Sequence, residues 1–133
     1  MKRRYISIVA SMIAMSSCTY DIDEVLLQRS EISLTVRGEL QMSYDENTCQ
    51  LGHNETRNEF RVYDDKLASW FILKCDARPT SAGQKLKADL EYTTTKDTKT
   101  VRGLTFTVER TNSEGMIWLW NQQQKIGIVV KAL

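Results

Sequence analysis

Three cysteines, one histidine and two adjacent aspartates are the residues of this 133-residue chain best suited to a metal or catalytic centre. Cys49 lies four positions before His53, and Cys75 is distant, so the three can be drawn as zinc ligands. A structural zinc takes four ligands, usually in short-spaced pairs, and the sequence has no such pair. His53 as a catalytic base needs a nucleophile beside it, and no G-x-S-x-G pattern accompanies it. Asp64-Asp65 does not supply glycosidic chemistry. Neighbours in an extended chain point apart, whereas that reaction needs facing carboxyls about 5–9 Å apart. Asp64-Asp65-Lys66 reads as a solvated turn. These residues point to no enzyme, no metal and no cofactor.

The aromatic residues carry a different chemistry. In Met116-Ile117-Trp118-Leu119-Trp120-Asn121, strand alternation sets Met116, Trp118 and Trp120 on one face and Ile117 and Leu119 on the other. Two tryptophans so spaced form a flat ledge of the kind that stacks on sugar rings or anchors a protein partner, and Trp70 is a candidate third member. The competing reading, which we prefer, makes this strand core, with Val25-Leu26-Leu27 or a loop covering its second face.

At the N-terminus, Lys2, Arg3 and Arg4 precede an apolar stretch from Tyr5 to Met15, followed by Ser16, Ser17 and Cys18. That stretch, eleven residues long, is too short to span a bilayer, which takes roughly 20. They fit the hydrophobic segment of a secretory signal peptide with small residues at the cut. Met15-Ser16-Ser17-Cys18 resembles the lipobox of bacterial lipoproteins, with Met where Leu is usual. The resemblance covers residues 1–18 only. It implies a signal peptide over 1–17, acylation of Cys18 (diacylglycerol plus an amide-linked chain such as palmitate), and a membrane partner reached through lipid. Asp21, Asp23 and Glu24 resemble the acidic export tag of surface lipoproteins in some Gram-negative bacteria; a solvated linker is the equal alternative. Thr19, not Asp, follows the cysteine, so an inner-membrane retention signal is absent and the outer membrane is the expected site, at its periplasmic face or the cell surface.

Removing the signal changes the charge. Three of the 18 basic residues and none of the 17 acids lie in it, leaving 15 against 17 and a net charge of −2. The mature chain carries no nucleic-acid footprint. With Cys18 given to lipid, Cys49 and Cys75 remain as an even pair in an oxidising setting, which favours a disulfide. The alternative is two buried thiols without a partner.

The elements that must position these residues are strands. Residues 18–30 read as a lipidated tether and 31–133 as one β domain. From residue 31 the period is two: Ile32, Leu34 and Val36 alternate with polar neighbours, as do Phe60 and Val62, Leu86 to Tyr92, and Leu104 to Val108. Trp70 to Leu73 and Ile126 to Val130 are continuous apolar runs, expected to be covered on both faces. Polar turns at 94–99, 112–115 and 121–124 predict a four-stranded antiparallel meander over 85–93, 100–110, 116–120 and 125–132. Residues 43–58 are the least regular. About seven strands in this length predict an all-β antiparallel sandwich, with a small closed β-barrel as runner-up.

The expected function is a binding or interaction module for a protein or glycan. One alternative is an accessory subunit of an outer-membrane complex. In size and plan a small disulfide-linked β lipoprotein also resembles lysozyme inhibitors, which implies an inhibitor of an envelope-attacking hydrolase, although no inhibitor loop is recognisable.

Overall fold

The computed structural model describes residues 24–44, 50–54, 58–64, 69–94 and 96–132. The signal segment, Cys18 and Cys49 lie outside the described residues. A single helical turn, α1 (Glu24–Gln28), is followed by nine strands: β1 (Ile32–Val36), β2 (Glu39–Tyr44), β3 (Gln50–Asn54), β4 (Glu59–Asp64), β5 (Ser69–Cys75), β6 (Lys85–Thr93), β7 (Thr98–Thr111), β8 (Met116–Asn121) and β9 (Ile126–Lys131). The all-β expectation holds, but the sandwich does not appear. All nine strands join one antiparallel sheet in the order β2-β1-β9-β8-β7-β6-β5-β4-β3, which curls into a half-barrel.

The curl follows from alternation. Cross-strand partners share a face, so the register Leu34–Ile128–Leu119–Val108 lines one side of the sheet continuously. Phe60–Leu73–Leu90 and Val62–Phe71–Tyr92 continue the same side on β4 to β6. All of these are buried, and they form the inner core. The Tyr44 hydroxyl, on the last residue of β2, hydrogen-bonds the Ser69 hydroxyl on the first residue of β5. Both project from the inner face, so this bond crosses the interior.

The predicted meander is present as β6 to β9, joined by the expected turns. At the 112–115 turn the Asn112 side-chain oxygen accepts hydrogen bonds from the Glu114 and Met116 amides. Gly115 adopts φ +87°, where a Cβ would also stand 3.0 Å from the Ala132 carbonyl oxygen. The register slips within β6–β7, between Ala88 and Leu90. There Gly103 takes φ +68°, and its amide donates to the Asp89 carboxylate at 2.8 Å. That glycine bulge bends the long β7 around the core.

Two expectations change. Part of the segment assigned to the tether instead packs on the sheet, through Leu26 and the Arg29 carbonyl. Leu26 is fully buried, and its Cδ1 lies 3.0 Å from where a Gly127 Cβ would be. Five residues do not make a stable helix in isolation, so packing of this kind holds the turn. Burying a leucine stabilises by about 1.5–3 kcal/mol. The second change concerns Ser33 and Thr35. Strict alternation predicts them solvated, yet they are 0% and 1% exposed, and neither hydroxyl has a hydrogen-bond partner. Thr35 stands opposite Gly127, beneath the region that Leu26 covers.

Gly127→Ala should destabilise by about 1–3 kcal/mol in urea unfolding, because the added methyl meets the leucine. Most of that cost should disappear in the Leu26→Ala background, a coupling that a double-mutant cycle reads directly. Thr35→Val, which removes an unpaired buried hydroxyl while keeping its branched shape, should raise stability by about 1 kcal/mol in the same assay.

Candidate functional site

β8 is buried along its whole length. Trp118 and Trp120 lie on the outer face at 2% and 6% exposure, and both ring nitrogens are hydrogen-bonded. The Trp118 indole donates to the Arg29 carbonyl oxygen, just beyond α1, and the Trp120 indole to the Gln122 side-chain oxygen, each at 3.0 Å. The Arg110 guanidinium sits 3.8 Å over the Trp118 ring. These two tryptophans therefore serve packing and present no open ledge.

Trp70 does not join them. It lies on β5, three strands from β8. Its backbone is bridged to the Thr93 hydroxyl, which stands opposite Thr98 at the start of β7, whereas Trp118 stands opposite Arg110 near the end of β7. Trp70 remains half-buried on the outer face of the other flank.

Around Trp70 the register assembles a different surface. Tyr63 is directly opposite Trp70, Arg61 is opposite Ile72, and Ile72 is opposite Glu91. All five are partly exposed. β4 positions its members by alternation: in Glu59-Phe60-Arg61-Val62-Tyr63, Phe60 and Val62 enter the core, so the other three face outward. Glu59 is 3% exposed because Arg61 lies over it, with Nε 2.9 Å and Nη2 2.8 Å from one carboxylate oxygen. Arg61 Nη1 also donates to the Tyr63 hydroxyl at 3.4 Å. Those hydrogen bonds, to Tyr63 first and then to Glu59, hold the guanidinium pKa above its ordinary value. Arg61 is thus permanently charged and fixed in direction, with Tyr63 and Trp70 beside it.

Next to this group, a cleft of about 80 Å³ opens between Lys74, Asp89, Glu91 and Arg102, with Ile72 at its wall. Its volume is well below the roughly 300 Å³ at which ordinary small-molecule pockets begin. A wider, open depression of about 420 Å³ adjoins it, beside Asp76, Lys87 and Gly103. The two share Lys74 and Asp89, so charges of both signs alternate along this flank.

Of the candidate cysteine, histidine and aspartate residues, only Cys75 has its side chain among the described residues. The expected disulfide is absent: Cys75 is a free thiol, 6% exposed. Its amide donates to the Asn58 carbonyl oxygen, which sets it level with the start of β4. Gln50, the neighbour of Cys49, pairs with Tyr63, near the end of β4. Gln50 and Cys75 are thus set five residues, about 16 Å, apart along the strand direction and lie on strands that are not neighbours. Cysteine pairing from count alone ignored this register. Burial first, and then the Asp76 charge, pushes the Cys75 pKa up to about 12, so it is no nucleophile at neutral pH. The backbone of His53 pairs with Phe60, and the histidine side chain lies outside the described residues. Among the described residues, no group of three His, Cys, Asp or Glu side chains could hold a metal ion.

Sequence reasoning singled out Trp70 but missed Arg61, Tyr63 and Glu59. Their signal was present in the alternation of residues 59–63, whose three outward positions hold an acid, a base and a tyrosine.

Cys75 should resist alkylation at pH 8 in the folded protein and react once it is unfolded, as peptide mass spectrometry would record. The folded thiol binds its proton more tightly than the unfolded one, so its contribution is complete below about pH 9 and is lost as pH rises toward about 12. Cys75→Ala should flatten that part of the stability–pH curve.

No protein-family model, no curated protein and no solved structure matches this chain.

Proposed function

We propose that this chain is an exported, lipid-anchored binding module of the outer membrane that holds a protein partner on the outer face of β4 to β6. The observation that supports it most is the group Arg61, Tyr63, Trp70 and Ile72. Tryptophan, tyrosine and arginine are the residues that dominate binding hot spots, and here they are partly exposed and already ordered. Arg61 is held by Glu59, so little side-chain freedom remains to be lost when a partner arrives. The mixed charges of Lys74, Asp89, Glu91 and Arg102 form a polar rim along one side of the group. A rim of both signs favours register and partner choice over raw affinity.

Protein is preferred to glycan because Trp118 and Trp120, the pair spaced to stack on sugar rings, are covered. Anchoring by acylated Cys18 rests on the lipobox-like Met15-Ser16-Ser17-Cys18. Among the described residues no helix is long and apolar enough to cross a membrane. Three acyl chains would hold the protein firmly without one.

The test is affinity capture from solubilised envelopes, followed by titration of the captured protein against purified variants. Trp70→Ala and Arg61→Ala should each weaken binding tenfold or more while leaving the folded fraction unchanged. Leu40→Ala, on the exposed part of β2, should bind as the parent does. Equal binding by all four proteins would overturn the choice of face, and intact-mass measurement of Cys18→Ser against the parent tests the anchor.

A further inference from the structure

We infer that the lipid anchor also orients the domain: the α1 side faces the bilayer, and the face carrying Arg61, Tyr63 and Trp70 is turned away from it. The inference rests on the proposed acylation of Cys18 and extends it from attachment to direction. Its first support is where the chain enters the fold. Leu26 is fully buried against Gly127 of β9, and the carbonyl of Arg29 is bound by Trp118 of β8. The N-terminal segment is therefore fixed to the outer face of β8 and β9, with Leu26 only eight residues beyond Cys18. Eight residues reach at most about 28 Å even when fully extended.

The second support is the curl of the sheet. β5 lies four strands from β9 in an order of nine. β2 to β5 covers six inter-strand steps, about 29 Å along the sheet, yet the Tyr44 and Ser69 side chains meet across the interior. Two such side chains bridge only about 12 Å between Cα atoms, so the sheet curls through about half a circle over those strands. The outer faces of β9 and β5 consequently point well away from each other. Laying the β5 face on the bilayer would force residues 18–26 round the outside of the sheet. That path is about 30 Å, at or past their full extension. With the α1 side toward the bilayer, the same residues need no such extension.

This arrangement suits a module whose partner comes from the aqueous side. The contact face is carried a domain's width above the lipid, and the short tether limits how far it can tip.

The test uses the full-length acylated protein in vesicles of phosphatidylethanolamine and phosphatidylglycerol at 3:1. With Cys49 changed to Ser, a fluorophore is placed through Gln28→Cys or Lys74→Cys, both exposed positions, while the buried Cys75 thiol stays unlabelled. Nitroxide-bearing lipid should quench the label at position 28 at least threefold more than the label at position 74. Equal quenching, or stronger quenching at 74, overturns the orientation while leaving the anchor intact. Protein that fails to float with vesicles and lacks the acyl mass overturns the anchor reading and the orientation with it.

Discussion

The five residues that join β2 to β3 impose the constraint on which the rest of the structure depends. These two strands form opposite ends of the sheet, eight inter-strand steps apart. In a flat sheet their axes would lie about 38 Å apart. The chain from Tyr44 to Gln50 can reach only about 21 Å. The sheet has no choice but to curl. Every neighbouring pair is antiparallel, and eight such steps are an even number, so β2 and β3 run in the same direction. β2 pairs with β1 at one end of the sheet and β3 with β4 at the other. Curling toward the inner side then encloses the phenylalanines, leucines and isoleucines, and the Tyr44–Ser69 hydrogen bond spans the enclosed space. Chain connectivity and hydrophobic burial demand the same shape.

Curling toward one side leaves the opposite side of the sheet to be managed, and the two flanks do so differently. On β1, β9 and β8 the outer residues are Ser33, Thr35, Gly127, Val129, Met116, Trp118 and Trp120, with Lys131 at the end of β9 the one charged member. This flank takes the α1 turn as part of its cover, with Gly127 providing the space for Leu26. The cost appears in the two hydroxyls of β1 that find no partner. On β4 to β7 the outer residues are mainly charged or threonine, and Arg61, Glu59 and Tyr63 satisfy one another. That flank needs no cover. The division between a packed side and a presented side is thus written in residue type before any partner is considered.

Much of this was legible in the sequence where alternation was clean. Leu86 to Tyr92 and Leu104 to Val108 locate β6 and β7, and the Asn112–Gly115 turn locates the start of β8. β2 and β3 were hidden. In β2 the register slips between its pairings with Leu34 and Thr35, so Leu40 falls on the exposed side while Met42 and Tyr44 turn inward. Alternation therefore breaks inside six residues. β3, Gln50-Leu51-Gly52-His53-Asn54, is polar and contains a glycine, so its sequence carries no strand pattern, and among the described residues it pairs with β4 alone. The curl was beyond reach for the same reason: the two strands at the ends of the sheet are the two that local pattern does not reveal. The choice of a sandwich over a barrel depended on them. Trp70 to Leu73 misled in the other direction, since a continuous apolar run proved half open on its outer face.

The three tryptophans show why a residue type cannot be assigned a role without its register. Trp118 and Trp120 have the spacing of a binding ledge, yet they fall on the flank where the chain enters, and each indole is used internally. Trp70 sits in a run that reads as core, yet the same side of β5 bears Lys74, which no buried face would accept unpaired. That lysine carries the distinction. Phe71 and Leu73 go inward with Cys75; Trp70 and Ile72 must go outward with Lys74. An aromatic residue kept on the polar side of a strand gains little from the fold beyond partial packing against Tyr63. Its remaining surface is available to whatever approaches that face, which is why the site is placed around Trp70 and not around the more conspicuous pair.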